Sequence, residues 1–179
     1  YAKLTDEAKL SYGLWKLQYE NARDGVPFLG DGYAFDQMNG AQSFLPTLLI
    51  SFHKVDEESD YTAYISRMKE TSRALDQLLE RARKSAGQGV RPPKFAYEGV
   101  IDQSRKVITG APFTDGPDSA IWADAQAKAD ALVKSGKITA ERATELKEEA
   151  RTALLEQFKP AYERVIAWSE EELPNAAVN

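Results

Sequence analysis

Apolar residues recur at three- and four-residue spacings along nearly the whole chain, the mark of helices that each bury one side. The first predicted helix opens at Thr5, a good N-cap residue, with Asp6 and Glu7 suited to the positive end of the helix dipole. Ala8, Tyr12, Trp15, Tyr19 and Ala22 form one stripe of it, and Leu10, Leu14 and Leu17 form a second. A helix apolar on two sides is expected to be covered over most of its circumference. Gly25 and Pro27 end it.

From Gly25 to Gly40 the density of turn formers excludes a regular helix, yet Phe28, Leu29, Tyr33, Phe35 and Met38 give the stretch enough apolar bulk to be pinned down. Pro46 suits the first turn of a short helix, Thr47 to Phe52, ending near His53. Ser59 begins a long helix with Tyr61, Tyr64, Ile65, Met68, Leu75, Leu78, Leu79 and Ala82 on one side, stopped by Gly87 and Gly89; a break near Thr71 and Ser72 is allowed but not required. Pro92 and Pro93 start the next, and Thr109 to Pro117 is again a loop. An alanine-rich helix then runs from about Ser119 to Lys134. A last one, capped by Thr139, keeps its apolar phase across Pro160, so a kink is expected there and not an end. The predicted class is all-α: a multi-helix array with one long irregular loop, about residues 25–45, and a long Pro-kinked C-terminal helix. Residues 1–179 read as a single helical domain or fragment.

The chain opens at Tyr1 without a basic-then-apolar leader, which suggests a processed or excised part of a longer protein. Its longest apolar stretch, Phe44 to Phe52, is far shorter than the ~20 residues of a membrane span. The composition, with 28% charged residues and a net charge of -5, is that of a globular protein and disfavours a nucleic-acid partner. The basic cluster Arg81, Arg83, Lys84, Arg91 and Lys94 has no interleaved aromatics and reads as a solvated face.

The chain has no cysteine and one histidine, His53, so neither a thiolate zinc site nor an H-E-x-x-H pair can be assembled from its residues. No G-x-S-x-G elbow accompanies that histidine, and Gly87-Gln88-Gly89 follows a helix, so it reads as a helix stop. The many glutamates sit at solvated positions, with nothing in their spacing to pair any two. No catalytic residue, metal ligand or cofactor is therefore assigned within the chain.

One stretch, Ala34 to Gln42, gathers amides and a carboxylate beside aromatics. Asp36, Gln37, Asn39 and Gln42 could line a polar ligand, or they could satisfy the backbone groups of their own loop, which is the plainer account. His53 likewise reads first as a cap on the carbonyls ending its short helix, and second as a substrate-facing group.

This stretch also carries a resemblance. Phe35-Asp36-Gln37-Met38-Asn39-Gly40 followed by Leu45-Pro46-Thr47-Leu48-Leu49 resembles the N-terminal half of the bacterial domain of unknown function family 885. The likeness continues in order through Asp60 to Met68, Leu75 to Arg81, Gly89 to Phe95, and Lys159 to Arg164 with Glu171 to Pro174. The resemblance implies a longer, mostly helical, often exported protein, many members being lipoproteins. It also implies likeness to zinc metallopeptidases, with the H-E-x-x-H motif in the C-terminal half. Zinc would then belong to the full-length parent, and the periplasm or cell envelope would be the compartment, the cytoplasm being the alternative.

On that basis the chain is expected to be a non-catalytic helical wall of a substrate cleft, inactive alone. Asp36, Gln37, Asn39, Gln42 and His53 would face a peptide-like substrate, and the partner would be the remaining C-terminal half. The alternative is a helical interaction or scaffold module with Phe28, Tyr33 and Phe35 as an exposed patch. If the chain normally packs against a second half, self-association is expected, through the Ala8 to Ala22 helix or the Ala120 to Ala131 face.

Overall fold

The computed structural model describes residues 1–177. It is helical throughout, with no strand among the described residues beyond the isolated bridges Pro93–Ala177 and Ala111–Asp118. The chain divides into two compact units, Tyr1–Gly32 and Tyr33–Asn179.

The first unit is α1 (Asp6–Gly25) followed by a 3-10 turn, Val26–Phe28. Thr5 caps α1 as expected, its hydroxyl oxygen accepting from the Ala8 amide at 3.2 Å. Both predicted stripes are present, and the aromatic one packs on itself: Trp15 and Tyr19 stack with ring centroids 5.9 Å apart. The expectation that α1 is covered is not met, for none of its residues is buried. Periodicity foretold the stripes but not what covers them.

The second unit holds α2 (Ala41–Thr47), α3 (Glu58–Gly87), α4 (Lys94–Val107), α5 (Ala120–Lys134), α6 (Ala140–Ala153) and α7 (Lys159–Glu172). α7 lies against α3 and α4, while α6 packs on α3 and α5. Their common core contains Tyr61, Tyr64, Met68, Leu75, Tyr97, Leu146, Phe158 and Tyr162. Ser119 and Thr139 cap α5 and α6 through their side chains, and Gly136 ends the α5 turn at φ +70, a conformation glycine adopts without a Cβ penalty.

The loop proves shorter than about 25–45. α2 begins at Ala41, so Pro46 lies inside a helix and not in the first turn of one running from Thr47. Because proline lacks an N–H, the Gln42 carbonyl has no α-helical donor four residues on; the Tyr162 hydroxyl donates to it instead, at 2.8 Å. α2 runs directly into a π turn, Leu48–Phe52, closed by the His53 amide donating to the Leu48 carbonyl at 3.1 Å. A second π turn, Leu154–Phe158, sits just before Pro160, so the helical run from α6 to α7 continues through a widened turn. α3 has no break: the Thr71 hydroxyl donates to the Arg67 carbonyl and stays within the helix.

Two apolar surfaces named above are divided between core and exterior. Phe35 is buried, its ring 6.0 Å from that of Trp168, so it is not part of a surface patch with Phe28 and Tyr33. On α5, Ile121, Ala125, Ala129 and Leu132 are buried in the core, whereas Ala120, Ala123, Ala127 and Ala131 are exposed.

Candidate functional site

The α2 segment carries a cluster at each end. At its N-terminal end the amide-rich loop is tied by its own groups. The Asp36 carboxylate accepts from the Met38 and Asn39 amides at 2.6 and 2.7 Å, an Asx turn that shapes Asp36–Asn39. Gln42 is fully buried, and its amide nitrogen donates to the Asp36 carbonyl at 2.5 Å and to the Gln103 side chain at 2.7 Å. Gln103 in turn donates to the Gln37 carbonyl at 2.8 Å.

Two glycines make this closeness possible. A Cβ on Gly99 of α4 would stand 2.5 Å from the Gln37 Cβ, and one on Gly40 would stand 2.1 Å from the Gln42 Oε1. The structure thus brings Asp36, Gln37, Asn39 and Gln42 together. Asp36 spends its side chain on the loop itself and Gln42 on the loop and Gln103 of α4, whereas the Asn39 side chain is exposed.

His53 stands at the far end, on the order of 15 Å along the helical run from Gln42 at a helical rise per residue. Its imidazole does not cap its own helix. Nε2 lies 2.9 Å from the Asp60 carbonyl and Nδ1 meets the Arg67 guanidinium. A carbonyl only accepts and a guanidinium only donates, which places the ring proton on Nε2 and makes Nδ1 the acceptor for Arg67.

Two carbonyls of the π turn, Leu49 and Ile50, are taken by the Lys128 ammonium at 3.0 and 3.3 Å. Lys128 also pairs with Asp124 at 2.5 Å and sits over the Tyr64 ring at 4.5 Å. Tyr64 donates to the same Asp124 carboxylate at 2.5 Å and lies against the His53 ring, centroids 5.1 Å apart. Burial, and then the hydrogen bond to Asp124, push the Tyr64 hydroxyl far above its ordinary titration range.

The π turn, His53 and Arg67 enclose a cavity of about 300 Å³ lined by Leu48, Leu49, Phe52, His53 and Arg67. Arg67, Gln103, Asp124 and Lys128 went unremarked in the sequence. The four-residue spacing of Asp124 and Lys128 was the one available signal, and it also describes an ordinary surface pair. No group of three or more His, Asp or Glu side chains among the described residues is placed to hold a metal ion. None of the described helices is long and apolar enough to cross a membrane.

Comparison with known proteins finds no match among curated proteins and none among solved structures. A family model does match, over residues 1–179. The chain belongs to the family described as Bacterial protein of unknown function (DUF885).

Proposed function

We propose that this chain is the non-catalytic helical portion of a metallopeptidase-like protein, completed by further polypeptide and contributing a wall of a substrate cleft. The observation that carries the reading is α1, which has apolar stripes on opposite sides and buries none of its residues. Such a helix is built to be enclosed by neighbouring helices. Family membership joins it to the resemblance to exported zinc peptidases, in which the H-E-x-x-H motif and its zinc reside in the C-terminal half. The amide loop supports the cleft role through Gln37 and the exposed Asn39, the members of the cluster whose side chains the loop does not use internally.

The test is kinetic. In a full-length parent carrying a downstream H-E-x-x-H, zinc-dependent peptide hydrolysis is expected, and none from the present chain alone. Replacing Gln37 and Asn39 by alanine should lower kcat/KM by about 3–10-fold for each lost hydrogen bond to substrate. Unchanged kinetics in a folded double variant would remove the loop from the cleft. A parent that hydrolyses no peptide would favour an interaction or scaffold module, for which the exposed Phe28 and Tyr33 remain available.

A further inference from the structure

The His53 end of α2 carries a site that the cleft reading does not use. Its cavity of about 300 Å³ has apolar walls, Leu48, Leu49 and Phe52, and one cationic end, Arg67. That volume is at the small end of ligand pockets.

Arg67 has no carboxylate partner among the described residues; its guanidinium meets His53 alone among them. The nearby acids are engaged elsewhere. Asp60 accepts from the Asp56 and Glu57 amides, both at 3.0 Å, Glu70 is paired with Arg73, and Asp124 is held by Lys128 and Tyr64. A guanidinium presents several N–H donors in a planar fork, and one imidazole nitrogen occupies only part of it.

His53 is itself locked, because Nε2 is spent on the Asp60 carbonyl. It therefore acts as a neutral strut that orients the guanidinium without cancelling its charge. The π turn does the complementary work. Lys128 ties down the Leu49 and Ile50 carbonyls, which holds the widened turn in shape while Leu48 and Phe52 stay exposed beside the cavity mouth.

From this arrangement we infer that the cavity binds a monocarboxylate bearing an apolar group of about leucine size. The carboxylate accepts from the free part of the Arg67 fork and the apolar group lies against Leu48 and Phe52. Cations are repelled by the guanidinium, and a neutral amide is disfavoured because it offers one uncharged acceptor oxygen in place of the carboxylate's two. Such a ligand is either the C-terminal residue of a peptide or a free alkyl carboxylic acid. The inference does not depend on the peptidase reading.

Because the chain has a single histidine, the ring carbon–proton resonance of His53 reports on the site without assignment. The full chain is titrated at constant ionic strength with N-acetyl-leucine, with octanoate and with N-acetyl-leucinamide. A saturable shift with at least one acid is expected, with the amide at least about tenfold weaker, as loss of a charge-assisted pair implies. The tighter of the two acids names the source.

Arg67→Gln is expected to abolish the shift in a chain whose circular dichroism is unchanged. If that variant fails to fold, the comparison of acid with amide on the unaltered chain decides. The inference is overturned if neither acid gives a saturable shift, if the amide binds as well as its acid, or if folded Arg67→Gln binds undiminished.

Discussion

Tyr97 and Tyr162 are both buried, and their hydroxyls differ in one respect. The Tyr162 hydroxyl donates to the Gln42 carbonyl that Pro46 leaves without a donor, whereas the Tyr97 hydroxyl has no hydrogen-bond partner among the described residues. An unsatisfied buried hydroxyl costs desolvation with no return, so Tyr97→Phe should be neutral or stabilise by up to ~1 kcal/mol. Tyr162→Phe should destabilise by ~1–2 kcal/mol, because it orphans a buried carbonyl. Urea unfolding of the two variants side by side checks the contrast; equal losses would mean that Tyr97 has a partner after all. Arg67 and His53 follow the same logic of partners, and there the lack of a carboxylate for the guanidinium makes the cavity a binding site and not merely a gap.

Elements are held together by close approaches as much as by apolar faces. The loop Tyr33–Gly40 lies on α4 at Gly99, where nothing larger than a hydrogen fits against the Gln37 Cβ. Gly99→Ala should therefore cost ~1–3 kcal/mol, the usual penalty of overpacking. It should also speed hydrogen exchange at the Met38 and Asn39 amides, which depend on the Asp36 turn. Unaltered exchange at those amides, with stability unchanged, would show that the loop is held by other means. The π turns illustrate the same interplay: each accompanies a proline, Pro46 two residues before one and Pro160 two residues after the other, and the helical path survives both.

The molecule as a whole should have a pronounced alkaline limit. Burial raises the hydroxyls of Tyr61, Tyr64 and Tyr162 well above their ordinary value near 10, and burial with the Glu172 charge pushes Tyr97 up to about 12. Below pH 10 both folded and unfolded chains keep these protons, and the stabilisation is fully present. As the pH climbs past about 10 the unfolded chain releases protons that the folded chain retains, so folding stability falls. For Tyr97 the loss is complete above about pH 12. Urea midpoints at successive pH values should therefore decline from about pH 10 upward, and Tyr97→Phe should flatten the decline. A midpoint that stays level through that window would contradict the burial of these rings.

Local chemistry was enough to place the longer helices, though not α2. Thr5, Ser119 and Thr139 cap where their side chains can reach the first free amides, Gly136 ends α5, and the apolar phase of α3 persists through Thr71. Capping and periodicity act within a turn or two, so a linear string of residues contains them. Partners drawn from distant parts of the chain settled the rest. Gln42 meets Gln103 across 61 residues and Lys128 reaches Leu49 across 79, and periodicity carries no information about such pairs. For the same reason the burial of Phe35, the internal face of α5, the exposed stripes of α1 and the seat of His53 beside Arg67 could not be read from spacing: each depends on which surface arrives opposite, and that is known only once the helices have packed.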